Sequence, residues 1–505
     1  MGWARAVLAL VAVVAAGSLL VSGGSGADPR TPPALPGEPP PFLGTAVVGS
    51  GGMTGAIDAY GDVVDLRVPG PAGRALIDNP AARQAAGTVA SDTGLVPWVR
   101  IGGAPARPFW RANRVWQRYW PGTNVFVTEA RFGSTRVRIV YAAGAHGLAC
   151  LAKTRGPTRL EFRSREPAVA RWLHCHPGPA VRAILAAARE DRHWLRRARP
   201  LGPGAPPWAE GMYDRSLLVL HALTDRRTGA VAAGARDGWD YVWPRDASVA
   251  AMAFAAAGYR SEARRVARFL LGLGLEEAAR FHGDGSPVPG RKAQGDANGW
   301  VAAASEAAGL IGNARHAAAI LGGGGPAPWR NRADYQEGDP GDYLGDAIAS
   351  RTDVSEFSRH IGGASSDTPL EAGLWRMAGD PDSGLDSAAA WAVRPFPRPY
   401  LYPAVRATLN RLVSQGTAYG LTPGEGWPGR DPWTAPTAWT AWSLAALGER
   451  RPALRLLADL RRAATPAGLL PERVDARTGI PTSTTPLAWS HAFTILALRQ
   501  LWPAR

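Results

Sequence analysis

The run of helices beyond Gly211 constrains this chain more than any other feature. Apolar residues recur there at three- and four-residue spacing, in segments separated by Gly- and Pro-rich loops. The segments are Ser216 to Leu223, Ser248 to Ala257, Arg260 to Leu273, Trp300 to Ile311, Pro369 to Met377, Leu401 to Gln415, Ala435 to Leu447, Pro452 to Ala464 and Pro486 to Leu501. Pro486 suits a first helical turn. No strand-rich stretch is interleaved, which argues against an α/β barrel. About ten to twelve helices in some 300 residues fit helical hairpins wrapped into a closed toroid, with the working residues on loops at one end.

The texture upstream is different. From Phe42 to about Arg163, short β runs such as Thr45–Val48, Val63–Val68, Asn124–Thr128 and Val137–Tyr141 alternate with Gly-rich turns. That pitch predicts an antiparallel β-sandwich. The expected order is thus a β-sandwich over residues 42–164, a connector with a helix over 165–207, and an (α/α)6-type helical barrel over 208–505.

Ahead of the sandwich, Met1–Arg5 carries positive charge, Ala6–Val21 is apolar apart from Gly17 and Ser18, and Ser25-Gly26-Ala27 offers a small-residue cleavage site. Residues 1–27 therefore read as an export signal, with a retained N-terminal membrane anchor as the alternative, and the Pro-rich residues 28–41 as a linker. The expected location is secreted or cell-surface. Cys150 and Cys175 are the two cysteines; in an exported chain they form one disulfide or remain two buried thiols. His174-Cys175-His176 does not make a metal site, because adjacent strand residues point to alternate faces and no second ligand pair stands at zinc spacing.

The formal charge is +15, mostly arginine, yet no Lys/Arg run of five exists and no basic strip is interleaved with aromatics. A nucleic-acid partner is not expected on that pattern, while anionic cell-surface polymers remain a loose one. No phosphate loop or EF-type calcium loop is present, so no cofactor is expected, and no protein partner is evident.

Three loop-to-helix junctions carry chemistry. Trp239-Asp240-Tyr241-Val242-Trp243-Pro244-Arg245-Asp246 precedes an apolar helix. Asp246 could simply cap that helix, but sugars suit an Arg/Asp clamp for hydroxyl pairs and an aromatic wall for ring faces. Gln294-Gly295-Asp296-Ala297-Asn298-Gly299-Trp300 repeats the theme, though it is also good turn chemistry. Leu469-Leu470-Pro471-Glu472-Arg473-Val474-Asp475 places a glutamate on an inter-helix loop, where it is either a surface residue beside Arg473 or a general base.

In this order these segments resemble the glucoamylase family, family 15 of the glycoside hydrolases, which also holds glucodextranases and some trehalases. The resemblance extends to Gly61–Leu66, Gln117–Val125 and Tyr213–Leu220, and is most specific from Pro471-Glu472 to His491. It implies that Arg245 and Asp246 hold a terminal glucose, that Trp243, Gln294, Asp296 and Trp300 line the first subsites, and that Glu472 is the base. Glu425 and Trp427, in Gly424–Pro428, resemble a further loop near the pocket. It implies an exo-acting inverting hydrolase that releases glucose from an α-glucan or α-glucoside; the alternatives are a trehalase and a cell-surface glucan-binding protein that has lost its acid. The family's acid stands in a motif like Asp-Tyr-Trp-Glu. Here Asp334-Tyr335-Gln336-Glu337 has glutamine for tryptophan, which makes Glu337 the candidate acid and Asp346 and Glu356 the fallbacks.

Overall fold

The computed structural model describes residues 20–23, 46–78, 94–144, 147–154, 156–164, 166–235, 238–310, 329–350 and 373–504. Its first part is built of sheets and its second of helices.

Strands β1 (Leu20–Gly23), β2 (Ala46–Gly49), β3 (Thr54–Ile57), β4 (Val63–Val68), β5 (Arg74–Asp78), β6 (Val96–Ile101) and β7 (Arg107–Pro108) come first. They are followed by β8 (Arg114–Tyr119), β9 (Phe126–Phe132), β10 (Thr135–Gly144), β11 (Gly147–Lys153), β12 (Thr158–Ser164) and β13 (Leu173–His174). One sheet has the order β2-β3-β4-β5, a second β13-β11-β10-β9-β8 and a third β1-β12-β6-β7. Pairing is antiparallel except for β13 along β11 and β1 along β12. β1 falls within the stretch read as an export signal, where its backbone lies at the sheet edge.

Strict alternation explains the layering of the second sheet. Phe126, Ala130, Phe132, Val137, Ile139, Tyr141, Leu148 and Cys150 face the main core. Val125, Val127, Val140, Ala142, Ala149 and Leu151 face the other way, onto Ile184 and Ala188 of helix α1 (Pro177–Leu195). A disulfide joins Cys150 on β11 to Cys175 just after β13.

The helical part comprises α2 (Pro207–Ala222), α3 (Pro244–Ala256), α4 (Arg260–Leu271), α5 (Ala297–Ala307), α6 (Leu344–Ala349), α7 (Tyr402–Gln415), α8 (Thr434–Ala446), α9 (Arg450–Ala463) and α10 (Ala488–Leu501). A 3₁₀ segment, Ser387–Ala392, joins them. Contacts run from α10 to α3, α5, α6, the 3₁₀ segment, α8 and back to α10, which closes a ring of six segments. α2 packs outside α10, α4 outside α3 and α5, α7 outside the 3₁₀ segment, and α9 outside α8. Composition explains who goes where. The ring helices are apolar or small on nearly all sides, such as ProArgAspAlaSerValAlaAlaMetAlaPheAlaAla in α3, and are buried almost throughout. α4 and α9 carry arginines on one face and bury only the other.

Several expectations change. Residues 374–377 are not helical: Leu374 leads into β14 (Trp375–Met377), which pairs with β15 (Asp380–Leu385), while 369–372 lie outside the described residues. This hairpin is a small interleaved sheet that the apolar spacing concealed. Pro486 stands before α10 rather than in its first turn, with Leu487 as the N-cap residue. Asp246 sits inside the first turn of α3, whose N-cap residue is Trp243, rather than at the cap position.

The sheets and the helices are tied by buried polar contacts. Asn124 donates to the carbonyls of Gly49 and Leu218, Thr54 donates to that of Ala222, and Asp191 accepts from the amide of Asn124. Arg67 of β4 pairs with Asp65 and with Asp240 at 2.9 Å each, so the sheet grips the loop that leads into α3.

Candidate active site

The cap residues at the N-termini of the ring segments are Trp243, Asp296, Tyr343, Asp386, Trp433 and Leu487. Three of these, Trp243, Trp433 and Leu487, line a pocket of about 500 Å³. Its other walls include Trp239, Arg245, Asp246, Arg291, Tyr335, Gln336, Glu337, Glu472 and Trp489. Residues from distant parts of the chain therefore meet in one cavity.

Arg245 is the best-supported polar group in it. Its guanidinium donates to Gln294 Oε1 at 2.9 Å and to Asp296 Oδ2 at 3.0 Å, lies 3.5 Å from Asp246 Oδ2, and sits 4.6 Å from the centre of the Trp489 ring. Gln294 in turn donates to the carbonyl of Asp334. Asp246 is buried, and its Oδ2 has no hydrogen-bond partner in the protein. A buried acceptor of this kind is costly unless a ligand satisfies it. Burial pushes its carboxyl up to about 7 against the pull of Arg245, with Asp296 and Glu472 pushing the same way.

Glu472 is held by its surroundings. Its amide donates to Thr484 O and its carbonyl accepts from Thr434 N, while its carboxylate accepts from the Ser483 hydroxyl and lies 3.6 Å from Arg473 Nε. Behind it the Leu470 amide donates to His491 Nε2, and His491 Nδ1 meets Ser216 Oγ at 3.0 Å. Since Nε2 accepts, the proton sits on Nδ1. Burial depresses this histidine to about 3.

Glu337 reaches the same pocket from a turn. Asp334 Oδ1 accepts from the amides of Gln336 and Gly338, and Arg376 grips the Asp334 carboxylate at 2.9 Å. The Tyr335 hydroxyl donates to Asp386, as does the Gln336 amide nitrogen, and burial pushes Asp386 up to about 7. Glu337 itself has φ 60° and a side chain that is 38% exposed and ion-paired with Arg291.

Comparison with known proteins fits this geometry. Residues 208–274 match the model of glycosyl hydrolases family 15. The fold matches a bacterial glucoamylase complexed with acarbose over 96% of this chain and 97% of that one, with TM-score 0.61 and 13% identity. At that identity the likeness is one of fold. A glucoamylase from Saccharomycopsis fibuligera matches with TM-score 0.46 and 15% identity, over 58% of this chain and 94% of that one. A further glycosidase matches with TM-score 0.45 and 20% identity, over 61% and 98%. No curated protein matches the sequence.

Not every residue singled out in the sequence reaches the pocket. Trp300 is a correction: it is fully buried in the ring core, edge-on to Trp391 at 5.1 Å, Phe396 at 5.0 Å and Phe493 at 5.9 Å. Its place on the inner face of α5, four residues past the cap, turns it into the ring. Glu425 is a second: its carboxylate is taken by Arg411, Gln415 and the Leu385 amide, away from the pocket lining. Trp427 supports the pocket from behind, 5.0 Å from Trp433. Gln294 and Asp296 act on Arg245 rather than on the cavity. Asp346 is fully buried, its two oxygens without partners, and burial next to Asp296 and Asp334 raises its carboxyl well above the usual range. It does not reach the pocket, and Glu356 lies outside the described residues. Trp433 and Arg291 are pocket residues that sequence reasoning missed. Trp433 had a signal, since it precedes α8 as Trp243 precedes α3; Arg291 had none among so many arginines. Among the described residues there is no group of side chains that could hold a metal ion.

Proposed function

We propose that the protein is an exo-acting, inverting hydrolase that releases terminal glucose from an α-glucan or α-glucoside. One observation carries the reading: Arg245 and Asp246 share a single pocket with Glu472 and Glu337, although the chain delivers them from separate loops. In this reading the orphaned Asp246 oxygen and the tethered Arg245 take hydroxyls of the terminal sugar, and Trp243, Trp433 and Trp489 supply apolar ring contact. Glu472 takes a proton from the attacking water, and Glu337 gives one to the departing oxygen. Inversion asks for two carboxyl groups about 6.5–9.5 Å apart with a water between one of them and the anomeric carbon. The closed ring of six, flanked outside by α2, α4, α7 and α9, is read as a six-hairpin toroid fused to a β-sandwich, and the N-terminal apolar stretch as the device that exports it. Among the described residues no helix is long and apolar enough to cross a membrane.

The test is anomer-resolved NMR of products from maltose, isomaltose, starch and trehalose. β-Glucose as the first product supports inversion, and α-glucose first overturns it; the substrate turned over fastest fixes the linkage and separates the trehalase reading. The Arg291 ion pair on Glu337 favours one competitor, a glucan-binding protein without turnover. An enzyme inert on all four substrates yet retained on a glucan affinity gel would establish that competitor.

A further inference from the structure

The side of the pocket next to Glu337 differs from the rest. Trp239, Trp243, Trp433 and Trp489 give the cavity aromatic surface elsewhere, but beside the candidate acid stand the Arg291 guanidinium and the Gln336 amide. Gln336 occupies the place where the family motif has tryptophan, and its Oε1 is buried without a partner. This wall of the pocket offers hydrogen-bonding groups.

Arg291 is also crowded by charge. Its guanidinium lies 5.9 Å from the Trp243 ring centre, and that of Arg280 lies 5.7 Å from the same ring. Burial and then the nearby Arg280 lower its affinity for a proton, with Glu472 pulling the other way. Two cations around one indole are relieved by an incoming anion. The pair with Glu337 poses a chemical problem as well. A guanidinium favours the ionised form of a carboxyl, whereas a general acid has to bring a proton. Drawing Arg291 away would raise the fraction of Glu337 that carries a proton, and so would favour a substrate able to do it.

We infer that Arg291 is a specificity-determining residue for an anionic substituent on the leaving group, so that the preferred substrate is a glucoside with a carboxylate or phosphate beyond the scissile oxygen. The inference rests on the assignment of Glu337 as acid in the proposed function. The substituent takes the Arg291 guanidinium, and the released Glu337 carboxylate picks up a proton from solvent. That proton then passes to the glycosidic oxygen as its bond to the anomeric carbon breaks and the electron pair stays on oxygen. Water bonds to the anomeric carbon from the other face and loses its proton to Glu472. The formal charge of +15 acts in the same direction, by steering anions toward the protein.

The experiment is equilibrium binding by calorimetry to Glu472→Gln, which blocks turnover. Three probes are used: 4-carboxyphenyl α-glucoside, its neutral methyl ester, and 4-(phosphonooxy)phenyl α-glucoside. The expected result is that both anions bind about tenfold or more tightly than the ester, and that the ratio collapses to about one when Arg291→Gln is added. Arg291→Lys should keep part of the ratio, and the order of the two anions tells carboxylate from phosphate as the group read. Equal affinity for ester and anions, or a preference that survives Arg291→Gln, overturns the inference and leaves the glucosidase reading standing. Failure of all three glucosides to bind, with circular dichroism unchanged, overturns both.

Discussion

Glu472 and Glu337 face one pocket, yet the segments that carry them are secured to different degrees. Around Glu472 the backbone is bonded on both sides, to Thr484 and Thr434, and the Leu470 amide two residues earlier is pinned by a buried histidine. Around Glu337 the turn is anchored through Asp334 and Tyr335, but the glutamate itself lies partly in solvent in a left-handed backbone conformation, with an arginine as its partner. The difference teaches that Glu472 is placed by bonds of the fold on both sides, whereas the Glu337 side chain is held by a counter-ion.

The strongest way to break this contrast is Glu472→Gln. It should lower kcat about 10³–10⁴-fold on maltose while circular dichroism and thermal melting stay as in the wild type. Near-wild-type turnover would mean that the well-held carboxylate is a structural group. Glu337→Gln sharpens the other side. Turnover of maltose should fall about 10²–10³-fold, but that of an aryl α-glucoside with a good leaving group should fall less than about tenfold, because such a group departs without protonation. An equal loss on both substrates would remove Glu337 from the role of acid.

A smaller effect probes the backing of the base. His491 is depressed from 6.5 to about 3 by burial, so its contribution is present above the unfolded value and lost as pH falls from 6.5 toward 3. Replacement by Gln should lower stability at pH 7 yet flatten the decline between pH 7 and 5 by about 2 kcal/mol, read from urea melts of both proteins. The buried Asp191, pushed up to about 7, acts with the opposite sign in both proteins and cancels in the difference. An unchanged slope would show that His491 is not the titrating group. The smallest effect belongs to Trp300→Phe. Stability should drop by about 1–2 kcal/mol with KM unaltered, as for a core aromatic. A raised KM would return this residue to the binding surface.

How far the site was legible in the sequence follows from where each residue sits relative to its helix. Trp243, Arg245 and Asp246 lie at the start of α3, and loop-to-helix junctions with dense polar and aromatic residues are readable without coordinates. Trp300 lies only four residues after Asp296, but one helical turn carries it about 6 Å along the axis, from the mouth of the ring into its core. The two share a helix face, and only their depth along the axis separates them. Residues 374–377, expected as the end of a helix, differ for another reason, because a short hairpin with Gly379 and Gly384 carries too few apolar residues to show a period of two. The short α6 and the 3₁₀ segment Ser387–Ala392 were missed because fewer than two turns leave no periodicity to detect. Arg291 was hidden in composition, as one arginine among 57 lysines and arginines.

The six-membered circuit is shut by α10, the stave furthest along the chain, which wedges between α3 and α8. Until that stave docks, the other five describe a horseshoe whose open side exposes apolar flanks to solvent, and Glu472, on the span just ahead of it, has no fixed place. A chain cut short before α10 would therefore leave the ring open between α3 and α8, with its apolar flanks in water.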